Sequence, residues 1–304
     1  MSELEASARY RVWVNTKAGL GSAAHMVQDT ETGQWLGGFG TSYYRSWVYP
    51  LYTPSGLTVV REFPFDHPFH NGVFVAQNPA RVGERTGNFW ALPIPRSADD
   101  HIQTAIGRVD AQGYPRVELS ASCASLFLES VWRDENGEPM FDEQRAIIFR
   151  SVEGATVCDV HSGKHATYAD VEFGKTKFGS IGMRVDERLL PGAGGIVVGG
   201  LDGTLRRGSA DEAANFMECD FVAYETVEGT ARPYGVCMMI LANSASESRR
   251  GPWFIRDYGM AMFNATQDGP IHLPQGGCWA AGLRVVAYDG VITAERAATW
   301  TALG

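Results

Sequence analysis

The sequence predicts an all-β fold, a large sandwich or barrel of antiparallel strands, and three observations carry that prediction. Short runs of alternating apolar and polar residues recur along the whole chain, as half-buried strands require. The runs are bounded by glycine, proline, asparagine or aspartate, and the 35 glycines follow no three-residue period, so tight turns account for them and a collagen repeat does not. Helical patterns long enough to cross between parallel strands are missing, which disfavours a parallel α/β sheet.

In chain order, alternation places strands at Tyr10 to Val14, Ala24 to Val27, Leu57 to Arg61, Arg116 to Leu119 and Leu126 to Trp132. Others follow at Arg145 to Phe149, Val157 to His161, Phe221 to Glu225, Val236 to Leu241 and Gly282 to Tyr288. Glu135-Asn136-Gly137-Glu138 and Asp202-Gly203 are hairpin candidates, because Asn-Gly and Asp-Gly accept the positive φ angles of a tight turn. Ser209 and Glu212 have capping-box spacing and predict a turn or two of helix toward Phe216, while Glu295 to Trp300 reads equally as strand or helix. Two longer irregular segments, residues 78–103 and the glycine-rich stretch around Pro191, interrupt the strands. No repeat or linker divides the chain, so residues 1–304 are expected to form one domain.

Composition bounds the function. With 44% hydrophobic and 20% charged residues, the chain can bury a large core. A net charge of -9 opposes phosphate backbones and anionic lipid, so neither nucleic acid nor membrane is an expected partner. No apolar stretch reaches spanning length and the start lacks a signal-peptide pattern, which predicts a cytoplasmic protein. Five cysteines, widely spaced and without a CxxC pair, read as buried free thiols. Phosphate loops, Rossmann glycines, GxSxG elbows and HExxH helices are absent from the sequence.

Three clusters hold groups able to do chemistry. Arg61-Glu62-Phe63-Pro64-Phe65-Asp66-His67-Pro68-Phe69-His70 places two imidazoles on a loop stiffened by two prolines, which holds them at little entropic cost. In the second, Asp170 and Glu172 share one face of a strand that leads to Lys175 and Lys177, a charged strand end suited to a polar cleft, with Arg184 following. The third, Trp253 to Asn264, sets Arg256 and Asp257 among aromatics, with Trp253 and Tyr258 as candidate stacking surfaces. Glu143 and Arg145 are a thinner candidate, sharing one face of a strand.

The three clusters, together with Tyr49-Pro50-Leu51, Thr53-Pro54-Ser55-Gly56 and Gly182-Met183-Arg184-Val185, resemble the signature of the PmoA-like family of unknown function, DUF6807, over about residues 40 to 290. A membrane copper subunit, which that name suggests, would need long apolar spans that this chain lacks. The resemblance implies a β-rich two-sheet sandwich of the galactose-mutarotase kind, in a family often encoded beside sugar oxidoreductases. Family members tend to carry Asp-His-Pro-His-His followed by Arg; Phe69 and Asn71 replace two of those groups here. A bulky Phe69 in the site would favour a less polar ligand than a free sugar.

The leading expectation is an enzyme that moves a proton beside a carbonyl of a sugar-like or polyoxygenated small molecule, by isomerisation, elimination or ring closure, with no redox cofactor. His67 and His70 would shuttle protons, with Glu172 as partner or second base and Lys175 or Lys177 stabilising oxyanion charge. Arg61, Asp66, Phe69, Glu143, Arg184, Trp253, Arg256, Asp257, Tyr258 and Asn264 would surround the substrate. A second expectation makes His67, His70 and Glu172 ligands of a divalent metal. A third is a carbohydrate-binding or scaffold module without chemistry. Oligomeric state is left open, a homo-oligomer being compatible.

Overall fold

The computed structural model describes residues 2–6, 9–15, 24–93, 104–227, 229–241 and 250–303. Its architecture is 53% strand and 7% helix. Two large antiparallel sheets face each other. The nine-stranded sheet runs, from edge to edge, Ser2–Ala6, Tyr10–Asn15, Ala24–Asp29, Trp35–Thr41, Ser46–Leu51, Val73–Gln77, Gly179–Arg184, Met260–Phe263 and Trp253–Ile255. The ten-stranded sheet runs Arg116–Leu119, Ala124–Arg133, Pro139–Val152, Ala155–His165, Cys278–Asp289, Tyr234–Ile240, Phe221–Thr226, Gly195–Leu201 and Thr204–Gly208, and Arg108–Ala111 also pairs with Ala124–Arg133. A four-stranded sheet, Ile271–Leu273, Val171–Phe173, Ala80–Val82 and Arg85–Gly87, adjoins them.

Alternation decides which side chains each sheet buries. The inward set of the nine-stranded sheet, including Val12, Val27, Val75, Ile181 and Met183, joins Leu126, Ile147, Phe149, Val160 and Leu283 of the ten-stranded sheet in one continuous core. The outward residues of the same strands build two satellite clusters. Phe74, Ala76, Met260, Met262 and Phe254 lie under Phe69 and Trp90 on the outer face of the nine-stranded sheet. Val157, Ala223, Val286 and Tyr288 lie under Ala297 and Trp300 on the outer face of the other.

The expected strands recur, most with longer bounds, Arg116–Leu119 unchanged and Val236 to Leu241 shifted to Tyr234–Ile240; the exception is Leu57 to Arg61. That segment makes only isolated bridges, Tyr52 with Thr58 and Val60 with Val185, because its backbone switches partners from Leu51 to Arg184 within a few residues. Asp202 and Gly203 take φ values of 49° and 77° and join Gly195–Leu201 to Thr204–Gly208, as a tight hairpin requires. Asn136-Gly137 lies in the hairpin loop between Ala124–Arg133 and Pro139–Val152, but that loop spans residues 134–138 and only Gly137 takes a positive φ, 86°, so it is longer than the expected tight turn. Ser209 and Glu212 form their capping box on Ala210–Ala213, and the ambiguous C-terminal segment is a helix, Ala294–Thr301, capped by Thr293. Of the long segment 78–103, the first part is the hairpin Ala80–Val82 with Arg85–Gly87, and residues 94–103 lie outside the described residues.

The cysteines are free; Cys158, Cys219 and Cys237 are buried, Cys123 is partly buried, and Cys278 is exposed, contrary to the expectation for all five. Among the described residues no helix is long and apolar enough to cross a membrane.

Candidate functional site

The two-proline loop folds over the outer face of the nine-stranded sheet. It begins where the backbone N–H of Arg61 donates to Arg184 at 3.0 Å, and it ends where Arg184 N–H donates to the Gly72 carbonyl at 2.8 Å. Gly72 has φ of +53°, and a Cβ there would lie 2.0 Å from the Val48 carbonyl oxygen, so only glycine lets the loop return this closely to the sheet. Inside the loop, His67 N–H donates to Pro64 and His70 N–H to His67, two successive turns that bring the imidazoles face to face.

The rings form a stack. Tyr258 lies on His67 with centroids 4.9 Å apart and planes 8° apart, and His67 lies on His70 at 4.9 Å and 3°. His70 in turn stacks on Phe74 at 5.9 Å and meets the edge of Trp90 at 5.1 Å. His70 is 1% exposed, whereas the His67 side chain is 33% exposed, so the stack runs from the interior to solvent.

Charge is organised along its side. Nη2 of Arg184, a residue only 2% exposed, donates to both oxygens of Asp66 at 2.7 Å. Asp66 also accepts from His67 Nδ1 at 2.9 Å. Partial burial alone would raise the Asp66 carboxyl, but the bonds from Arg184 and His67 outweigh it and pull the carboxyl down to about 2. Asp66 is therefore a carboxylate, His67 carries its proton on Nδ1, and His67 Nε2 is left as the basic atom. His70 is the opposite case. Burial, then the neighbouring His67, Arg184 and Arg45, push it well below the usual imidazole range, so it is neutral. Its Nδ1 faces Arg184 Nη1 at 3.5 Å, which makes Nδ1 the acceptor and Nε2 the protonated atom. The Arg184 guanidinium lies 4.9 Å from the Tyr258 ring centroid, and burial pushes the Tyr258 phenol up.

The sequence candidates divide on this geometry. Asp66, His67, His70, Arg184 and Tyr258 meet. Phe69 packs beneath the imidazoles in the apolar cluster rather than facing a ligand. Arg61 reaches away to Glu187 at 3.0 Å. Glu172 lies on the four-stranded sheet, paired with Arg81 and 3.5 Å from His272, and so is part of another ion cluster. Lys175 and Lys177 are exposed; Lys177 sits over Phe178, whose ring touches Trp90, but it does not contact the imidazoles.

Trp253 is fully buried with its indole N–H donating to Cys219, so it offers no stacking wall, and the faces of Tyr258 meet His67 and Arg184. Arg256 lies over Phe254 near Asp211, and Asp257 accepts from the Ala210 N–H at 2.6 Å. Asn264 is buried and donates to the Thr176 carbonyl. Glu143 and Arg145 belong to the other sheet, where Glu143 accepts from Arg145, Ser162 and Trp132 in the core.

Sequence reasoning missed Arg45, Phe74 and Trp90. Arg45, 2% exposed, donates to the carbonyls of Phe69 and Trp90 and lies over the Phe74 ring, tying the histidine loop to the sheet. A charge beside Tyr43-Tyr44 was its only local sign.

The metal reading does not fit. An imidazole donates its lone pair in the plane of its ring, and two nearly parallel stacked rings cannot converge on one ion. Among the described residues no group of three or more His, Cys, Asp or Glu side chains is arranged to hold one. Three cavities, of about 610, 500 and 390 Å³, are lined by residues outside the imidazole stack.

A family model described as a family of unknown function, DUF6807, matches residues 26–301; the match carries that designation and not the PmoA-like name. No curated protein matches the sequence. Among solved structures, a GH36 alpha-galactosidase, AgaB, from Geobacillus stearothermophilus is similar at 10% identity and a TM-score of 0.42, over 86% of this chain and 40% of that one. This chain thus spans well under half of that enzyme. A galactose mutarotase related enzyme from Lactobacillus acidophilus is similar at 9% identity and a TM-score of 0.33, over 91% and 97%. A putative aldose 1-epimerase from Escherichia coli K12 is similar at 10% identity and 0.34, over 92% and 99%.

Proposed function

The chain belongs to the DUF6807 family, and from that premise we propose that it is an acid/base enzyme whose base is His67, acting on a polyoxygenated small molecule that carries a carbonyl. The observation that supports this most is the Asp66–His67 contact of 2.9 Å on the solvent side of a buried, rigid stack. The carboxylate fixes the tautomer, leaves Nε2 to accept a proton, and stabilises the imidazolium that results. Arg184 is a positioning residue, since its Nη2 is spent on Asp66. His70 and Tyr258 hold the His67 ring between them. In the proposed step, Nε2 removes a proton from the carbon beside the carbonyl, the electron pair moves onto the carbonyl oxygen, and the proton returns to carbon or oxygen of the resulting enolate.

Hydrogen exchange tests this step whatever product forms. Aldoses, ketoses and uronates incubated with the protein in D2O should exchange the hydrogen beside the carbonyl of at least one compound, followed by proton NMR. The His67→Ala variant should slow that exchange by about 10²-fold or more. Equal exchange in the variant, or none across the panel, would overturn the assignment.

A further inference from the structure

The outer face of the ten-stranded sheet is unequally used. Toward one end, Ala297 and Trp300 of the C-terminal helix pack on Val157, Val286 and Tyr288. Toward the other, the strands Ala124–Arg133, Pro139–Val152 and Ala155–His165 turn Glu129, Gln144, His161 and His165 outward. These side chains line two cavities, of about 500 and 390 Å³, that share Gln112, Glu129 and Gln144 and so form one trough.

The geometry points to this trough as a binding site for a neutral sugar, on the opposite side of the sandwich from His67 and independent of its chemistry. Each cavity falls in the size range of small-molecule sites, ~300–1,000 Å³. The lining supplies two amides, the carboxylates of Glu129 and Asp142, and two imidazoles, planar groups that donate and accept in fixed directions, as an array of hydroxyls demands. Tyr114 and Phe127 add aromatic surface at one end and Tyr168 at the other.

The cations of the lining are spent locally. Arg116 pairs with Glu118 and lies over Phe127, and Arg145 pairs with Glu143. Asp142 accepts from the neutral hydroxyls of Thr167 and Tyr168 at 2.7 and 2.8 Å, so with Glu129 it leaves the trough negative, which disfavours an acidic sugar.

The strand beside the trough carries a second sign. Gly163 lies in the interior of Ala155–His165, between the two outward histidines and opposite Gln144. It does not take a positive φ, and a Cβ there would meet Gln144 and His165 atoms only at 3.7 Å, an ordinary contact. Neither backbone conformation nor packing requires glycine at this position. Its neighbour across the other ladder is Ala280, so the strip between the histidines is low and flat, as close approach of a ligand to a strand would need.

The experiment is saturation-transfer NMR and calorimetric titration of the full chain with D-glucose, D-galactose, D-xylose, cellobiose, lactose and D-glucuronate. At least one neutral sugar should bind. Gly163→Val fills the strip with a residue suited to strands, and Gln144→Ala removes an exposed hydrogen-bonding group; each should weaken binding by about tenfold or more. The same losses should appear in the His67→Ala background, where the proposed catalytic base is removed. If Gly163→Val fails to fold, as judged by circular dichroism, Gln144→Ala decides alone. Binding of glucuronate only, of no sugar in the His67→Ala background, or equal binding in Gln144→Ala there would overturn the proposal.

Discussion

Replacing Asp66 by asparagine separates a carboxylate held by its neighbours from one that merely lies near them. In the wild-type protein the Asp66 carboxyl titrates at about 2 against an ordinary 3.8, the result of Arg184 and His67 overcoming partial burial. That gap, 3.8 minus about 2, is nominally ~2.4 kcal/mol at 1.36 kcal/mol per pH unit. Asp66 is 40% exposed, and solvent screening reduces the figure to about 1 kcal/mol.

Because the folded-state value lies below the unfolded one, this stabilisation is complete above about pH 4 and is lost as pH falls through about 2; roughly half remains at pH 3. Asparagine resembles the protonated acid. Urea unfolding should therefore find Asp66→Asn less stable by about 1 kcal/mol at pH 6, with the gap roughly halved at pH 3. A gap that is the same at both pH values would refute the claim that Arg184 and His67 hold the carboxylate ionised. In the exchange assay the same variant should lose about 10²-fold or more, because the asparagine amide can donate to Nδ1 and force the His67 proton onto Nε2.

Lys164 is fully buried, with its ammonium 5.0 to 5.3 Å from the ring centroids of Trp279, Phe173 and Trp132, and burial lowers it from 10.5 to about 8 despite Glu143 nearby. A depressed lysine costs stability while charged, so the wild-type protein should gain up to ~3 kcal/mol between pH 8 and 10.5 relative to Lys164→Met; parallel pH profiles of urea stability would contradict this. Gly203→Ala should destabilise by about 1–2 kcal/mol through backbone strain alone, since φ is +77° and no atom lies within 4 Å of the added methyl. An unchanged urea midpoint would show that the hairpin does not depend on the left-handed residue.

What the sequence determined by itself was everything set by neighbours along the chain. Period-two alternation identified the long strands, Asp202-Gly203 and Asn136-Gly137 their hairpins, and Ser209 with Glu212 a cap. Adjacency already placed Asp66 beside His67, and Pro64 and Pro68 stiffened the loop that carries them. Tertiary structure decided which distant groups completed the site. Arg184 reaches Asp66 across 118 positions because Gly179–Arg184 pairs with Val73–Gln77, the strand that follows the histidine loop. Glu172, only twelve residues before Arg184, goes instead to the four-stranded sheet beside Arg81. A strand's alternation states which residues share a face, but the partner strand and the side from which it is covered depend on pairings that no local pattern encodes. For the same reason Arg45 and Trp90 could not be assigned to His70, and the outward row of Glu129 and Gln144 became visible as a trough only once three strands lay side by side.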